Sequence, residues 1–274
     1  MSVRRSEFLR GRSWLAALLL SAAWPAWGQA SRAVGEAPAV VICDGVAEWT
    51  PFTYFRRSGG VPTGELTGYS VEVVGSILRK AGLGYRIELL PWKRCLAEVA
   101  RGDAYQIALD ASYSEERART YWLSRPFYRI SSHYFFLRSR FPDGPSIQSA
   151  TDLRRYRLCG LRGYNYEAYG VDAAGIDLSS GDYSVLLQRL KLDRCDLFVE
   201  KIEVLSGYAV TGRDLLADPD LGHRPIPGFP PSDFQMLISR NAPNAAELLR
   251  VINAGIVEME SSHQLDKLWA KYLR

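Results

Sequence analysis

Two periodicities alternate along this chain. Residues 39–43 form a short unbroken apolar run, the pattern of a strand covered on both faces. Over residues 69–81 the period lengthens. Val74, Ile77, Leu78 and Ala81 recur at helical spacing, and Gly82 and Gly84 then stop the pattern. Tyr85, Ile87 and Leu89 alternate as in a strand. Pro91 opens a second helix, with Leu96 and Val99 on one face and Gly102 as its stop. Residues 107–109 give the next strand. Strands separated by single helices need crossover connections, so this succession predicts parallel pairing in an α/β layer.

The alternation returns further on. Residues 132–138 are an extended aromatic run, and residues 141–145 are rich in turn formers. Thr151, Asp152 and Leu153 begin a short helix, residues 157–161 make a strand, and Gly163 leads into a helix start. Residues 185–190 are helical and 196–199 a strand, completing a second α/β unit. Pro225, Pro227, Gly228, Pro230 and Pro231 then interrupt the pattern and suit a connection between two lobes. Residues 234–238 read as a strand. Residues 246–259 read as a long helix with Leu249, Ile252, Ile256 and Met259 inward. Leu265, Leu268, Trp269 and Tyr272 stripe a final amphipathic helix.

The first 28 residues fit neither unit. Arg4, Arg5, Arg10 and Arg12 precede a short apolar stretch from Trp14 to Ala23, and Ala26 and Gly28 offer a small-residue cleavage site. This is the pattern of a secretory signal, too short to span a bilayer comfortably. Its four arginines and one glutamate account for +3 of the chain's formal +4, so the remainder stands near +1 and makes no case for nucleic acid. No cysteine stands near the cleavage site, so no lipid anchor is expected. Four cysteines remain, Cys43, Cys95, Cys159 and Cys195. An even number in an oxidising compartment favours disulfides, and three pairings are possible. His133, His223 and His263 stand far apart and no Cys-x-x-Cys occurs, so neither a metal site nor a cofactor is expected.

The densest chemistry lies from Ser112 to Arg117, directly after the strand at 107–109. Small hydroxyls there accompany an arginine, whose planar fork donates two parallel hydrogen bonds to a carboxylate. In an exported chain this combination points to capture of a small anionic or zwitterionic solute.

Further motifs stand around it in order. Trp49, Thr50, Pro51 and Phe52 follow the first strand. Leu66 to Tyr69 enters one helix, and Pro91 with Trp92 enters another that ends at Gly102 and Asp103. Ser112 to Arg117, Ser124 to Tyr128, Asp152 with Leu153, a strand ending at Gly163, Arg194 to Val199, and Lys271 with Tyr272 complete the series. By these motifs nearly all of the chain after the signal resembles the family 3 extracellular solute-binding proteins, which serve ABC importers of polar amino acids. The resemblance implies an α/β, two-lobed periplasmic binding protein fold of type II-like form, with a ligand cleft between the lobes. Lobe 1 would take residues 38–130 and 232–274, lobe 2 would take 131–231, and hinge segments would cross near 128–133 and 227–232. Cys43 would then pair with Cys95 and Cys159 with Cys195, one bridge in each lobe. A periplasmic monomer is expected, with an inner-membrane permease or receptor as partner.

The same resemblance assigns contacts. Arg117 would hold a ligand carboxylate, assisted by the hydroxyl of Ser112, with Asp110 as a further polar contact. Trp49 and Phe52 would form an aromatic wall and Trp92 an apolar contact. Gly163, Tyr164 and Asn165 would cap the carboxylate from lobe 2 through backbone N–H groups at a helix start. Tyr164 departs from the Ser or Thr common there, and Tyr166 would also reach the cleft. At the end of the strand at 196–199 the family holds an ammonium group with aspartate, a position that falls on Lys201, with Glu200 one residue earlier. Side chains alternate along a strand, so one residue decides the chemistry. Glu200 is the expected contact and suits an amino acid. Lys201 is the alternative and suits a second acidic group. A receptor without catalysis is the leading function. A ligand sensor acting through a membrane partner is the alternative, and a dehydratase-type enzyme using Glu200, Glu203 or Asp110 is a third.

Overall fold

The computed structural model describes residues 39–273; the expected signal segment lies outside them. The chain first forms β1 (Val40–Gly45), β2 (Tyr54–Ser58), β3 (Val61–Thr67), α1 (Tyr69–Lys80), β4 (Tyr85–Leu90), α2 (Trp92–Arg101), β5 (Ile107–Ser112), α3 (Glu115–Thr120), β6 (Tyr121–Leu123) and β7 (Tyr128–Ile130). It continues through β8 (Ser132–Leu137), β9 (Leu158–Leu161), β10 (Ile176–Ser180), α4 (Tyr183–Lys191), β11 (Leu197–Lys201), α5 (Ile202–Gly207) and β12 (Leu221–Pro225). It closes with β13 (Ser232–Ser239), α6 (Ala245–Ser261) and α7 (Gln264–Tyr272).

These strands build two main sheets, and β2 and β3 pair as a hairpin. The first sheet runs β4-β1-β5-β13-β6, with β7 also on β13, and the second runs β10-β9-β11-β8-β12. As predicted, β4 and β5 lie parallel to β1. In the second sheet β10 and β11 lie parallel to β9, while β8 lies antiparallel to β11. The chain leaves the first sheet after Ile130 and returns to it at Ser232, so a two-lobed α/β fold results. Each lobe carries one disulfide. Cys43–Cys95 ties β1 to α2, and Cys159–Cys195 ties β9 to the turn before β11.

The helices follow from their apolar stripes. In α1, Val73, Val74, Ile77 and Leu78 are buried against the sheet, with Glu72 in the first turn and Arg79 and Lys80 in the last, the order that suits the helix dipole. Ala81, expected on that face, is exposed, because the helix has ended and Ala81 is its C-cap. In α6 Leu248 is buried with Ile252, Ile256 and Met259, and Leu249, expected inward, is half-buried. The two flank one stripe, and the stripe through Ile252, Ile256 and Met259 turns toward Leu248. A larger correction falls at Gly163. No α-helix begins there. Gly163 sits at φ +84° and the chain runs irregularly to a single 3-10 turn at Glu167–Tyr169, ended by Gly170. The Tyr166 hydroxyl accepts the Leu161 N–H at 2.8 Å, so its ring folds back over the end of β9 instead of continuing a helix.

Candidate functional site

A cavity of about 490 Å³ lies between the lobes. The C-terminal ends of three sheet strands reach it, where an α/β sheet leaves side chains free for a ligand. β1 contributes Asp44 and Gly45, β5 contributes Asp110 and Ser112, and β11 contributes Glu200 and Lys201. The loop bearing Trp49 is set against the start of α1, where the N–H groups of Tyr69 and Ser70 donate to the carbonyls of Pro51 and Phe52. Only glycine fits at position 68, because a Cβ there would stand 2.1 Å from the Phe52 carbonyl oxygen.

The lobes touch around the cavity. Thr50 Oγ1 donates to the Val204 carbonyl at 3.0 Å, and the Tyr208 hydroxyl donates to the Glu48 carbonyl at 2.9 Å. Asn165 Nδ2 donates to the Tyr113 carbonyl at 2.7 Å. Gly207 lies so close to Pro51 that a Cβ would meet it at 2.7 Å. The site is therefore described in its closed arrangement.

Arg117 projects from α3, whose N-cap Ser114 accepts the Arg117 backbone N–H. The side chain is 7 % exposed. Its Nη1 donates to the Ser112 carbonyl at 2.8 Å and to Ser112 Oγ at 3.2 Å, and Nη2 reaches the Gly163 carbonyl at 3.4 Å. The guanidinium also lies 5.8 Å from the Trp92 ring centre. These partners are neutral, and among the described residues Arg117 makes no ion pair. Burial draws its pKa down to about 10. A cation held dry by neutral partners is poised for an anion that arrives from outside.

Asp110 is already engaged. It accepts from Ser70 Oγ, from Thr53 Oγ1 at 2.8 Å and from the Tyr128 hydroxyl at 2.9 Å. Tyr128 in turn accepts Trp49 Nε1 at 3.0 Å, which fixes the Trp49 ring on the wall. Asp44 lies beside Asp110. Burial, then the Asp110 charge, push the Asp44 carboxyl well above the usual range. Its Oδ2 accepts no hydrogen bond, as expected of a protonated oxygen facing another carboxylate. Asp110 is raised by burial too, but its several donors favour the charge. Of the two carboxyls, Asp44 is the one held further toward its neutral form.

The end of β11 departs from simple alternation, since both Glu200 and Lys201 are buried and both line the cavity. The strand stops at the cavity and Lys201 caps α5, so side chains from both faces meet the same space. Glu200 accepts from the Tyr183 hydroxyl at 3.0 Å and from the Lys201 N–H at 2.8 Å. Burial pushes it up to about 7. Lys201 Nζ donates to Ser132 Oγ at 2.6 Å and Ser232 Oγ at 2.7 Å, and burial draws it down to about 8.

Of the residues expected from sequence, Arg117, Ser112, Asp110, Trp49, Trp92, Tyr164, Asn165 and Glu200 lie on this cavity. Phe52 does not. Its ring stacks on Tyr128 at 4.2 Å and meets Tyr69 and Trp269, inside the lobe. Gly163 is not on the wall either and reaches Arg117 only through its carbonyl, the opposite polarity to the N–H cap expected of it. Asp44, Tyr169, Ser232 and Phe234 are on the wall without having been expected. Only Asp44 carried a local signal, an acid directly after the apolar run at 39–43. Among the described residues no cluster of three or more His, Cys, Asp or Glu could hold a metal ion, and no helix is long and apolar enough to cross a membrane.

A two-lobed α/β fold with a polar cleft at its strand ends defines a solute-binding protein. The model of the bacterial extracellular solute-binding proteins, family 3, matches residues 42–274, and the chain belongs to that family. No curated protein sequence matches it. Among solved structures, the substrate-binding protein of an amino acid ABC transporter is 19 % identical, with TM-score 0.67 over 85 % of this chain and 98 % of that one. A histidine kinase sensor domain with similarity to periplasmic binding proteins is 19 % identical, with TM-score 0.69 over 87 % and 97 %. An amino acid ABC transporter substrate-binding protein from Streptococcus pneumoniae, bound to L-arginine, is 20 % identical, with TM-score 0.66 over 86 % and 94 %. At these identities the likeness establishes the fold.

Proposed function

We propose that this protein is a periplasmic receptor, exported by a cleaved signal, that captures a small carboxylate-bearing solute, an amino acid or a relative of one, for an ABC importer. Lobe 1 takes residues 38–130 and 232–274, and lobe 2 takes 131–231. The observation that carries the proposal is Arg117, a buried cation among neutral partners on the wall of a cavity between two lobes. Its free valence faces the ligand, with Ser112 and Asn165 completing the anion pocket and Trp49, Trp92 and Tyr164 enclosing the rest. A ligand that touches both lobes favours the closed form by the contacts it gains there, and the permease would read that form. No catalytic role is assigned.

The test is a thermal-shift screen of ligand-free mature protein beside its Arg117→Ala variant. A carboxylate ligand at a hundred times its Kd adds roughly 2.7 kcal/mol, which raises the Tm of a chain this size by roughly 5–10 °C. The shift should vanish in the folded variant and for the amide analogue of the ligand. A shift unchanged in Arg117→Ala refutes the assignment. The likeness to a histidine kinase sensor domain supports a second reading, in which the same closure reports to a membrane receptor. Ligand-dependent stimulation of a reconstituted permease ATPase separates the two.

A further inference from the structure

Lys201 is the second buried cation of the cleft, 5 % exposed and on the cavity wall. Its two hydrogen-bond acceptors, Ser132 Oγ and Ser232 Oγ, are uncharged, and the rings of Tyr169 and Phe234 each lie 5.7 Å from Nζ. The acids nearest in sequence are occupied elsewhere. Both carboxylate oxygens of Glu203 accept the Ser131 N–H at 3.0 Å. Glu200 is held by Tyr183 and by the Lys201 backbone N–H, and among the described residues Lys201 makes no ion pair. An ammonium has three N–H donors, and two hydroxyls leave one for the cavity.

The two cations occupy different parts of one wall. Arg117 lies against Trp92, and Lys201 lies against Phe234. Trp49 packs on Phe234 at 5.5 Å and on Tyr164 at 5.7 Å, so an aromatic surface forms part of the wall they share. Glu200 and Glu203 favour the charge on Lys201 from a distance, but neither pairs with its ammonium, so its remaining donor is open to an acidic group of the ligand. Given Arg117 as the carboxylate anchor proposed above, we infer that the ligand carries a second acidic group, received by Lys201 with Ser232, and that the ligand class is small dicarboxylates, with or without an α-amino group. The spacer between the acids lies along Trp49.

Calorimetric titration of the mature protein tests this with succinate, glutarate, adipate and L-glutamate beside butyrate, valerate, hexanoate and L-glutamine. The best diacid should bind at least roughly 30-fold tighter than its monoacid match, the lower end of what a buried hydrogen-bonded charge pair contributes. Lys201→Met should erase that preference. Diacids that gain nothing over monoacids, or a preference that survives in Lys201→Met, overturn the assignment and leave Lys201 as a strut between β8 and β13. The wild-type comparison needs no variant, so a Lys201→Met chain that fails to fold does not leave the question open. Binding of monoacids without gain from the second acid refutes only the Lys201 subsite. Binding of neither class removes the Arg117 anchor as well.

Discussion

Replacing Glu200 by glutamine isolates the free energy of ionising a carboxyl at the end of β11. The groups around it are Lys201 on its own strand, Tyr183 from α4, Tyr164, Tyr166 and Tyr169 from the segment after β9, Tyr208 after α5, and His133 opposite it in β8. The tyrosines are all raised by burial and stay neutral. His133 is drawn down to about 4 by burial and by His223, and Lys201 to about 8, so between pH 5 and 7 only Glu200 in this shell changes charge. Its folded pKa stands near 7 against an ordinary 4.5. In that window the folded chain keeps a proton that the unfolded chain has released. Stability therefore falls as pH rises, by about 1.4 kcal/mol per unit, and levels off above pH 7. The total is on the order of 3 kcal/mol. Urea unfolding of both proteins at pH 5, 6, 7 and 8 reads it as a difference, in which titrating groups remote from Glu200 cancel; Lys201, whose charge Glu200 favours, adds in the same direction toward pH 8. Glutamine removes the slope whatever its fixed effect on the two hydrogen bonds. Relative to the variant, the wild-type unfolding free energy should fall by roughly 2.5 kcal/mol from pH 5 to pH 8. A difference that is the same at all four pH values would falsify the placement of Glu200 as a desolvated carboxyl.

The remaining predictions concern the two lobes separately. Cys43–Cys95 closes a loop of sequence separation 52 and Cys159–Cys195 one of 36, for which loop entropy gives about 4 kcal/mol each. Converting either pair to serine should lower the urea midpoint accordingly, and non-reducing peptide maps should recover these two pairs and no cross-lobe pair. Asp44→Asn keeps a donor toward Asp110 and should change stability at pH 7 by less than about 1 kcal/mol, whereas Asp110→Asn strips acceptors from Ser70, Thr53 and Tyr128 and should cost roughly 2 kcal/mol or more. Equal losses from the two substitutions would mean that Asp44 is not the carboxyl held further toward its neutral form.

The parallel core of lobe 1 was legible because its physics is local. Val40 to Cys43 and Ile107 to Ala111 are covered on both faces, so they read as apolar runs, and α1 carries a helical stripe. The β2–β3 hairpin was not legible. Arg56, Ser58 and most of β3 are exposed, so the hairpin has no apolar face to announce it. β6 and β7 are three residues each, too short for a period to show, and exist as strands because β13 returns to pair with them.

The candidate site divides in the same way. Sequence alone determined its Ser112–Arg117 end, because the two share one short segment and a strand-to-helix turn brings them together whatever the rest of the chain does. Tertiary structure alone decided which neighbouring aromatic faces the cleft. Phe52 found a stacking partner in Tyr128, while Trp49, three residues earlier, was turned to the cavity by its bond to the same tyrosine. It also decided the other end of the site. Alternation along β11 allows one of Glu200 and Lys201 to face the cavity, yet both do, because the strand ends at the cavity and Ser132, Tyr169, Ser232 and Phe234 converge there from distant segments. A linear pattern records how each residue relates to its neighbours in the chain. The charge balance of a cleft depends on residues that become neighbours only when the lobes close.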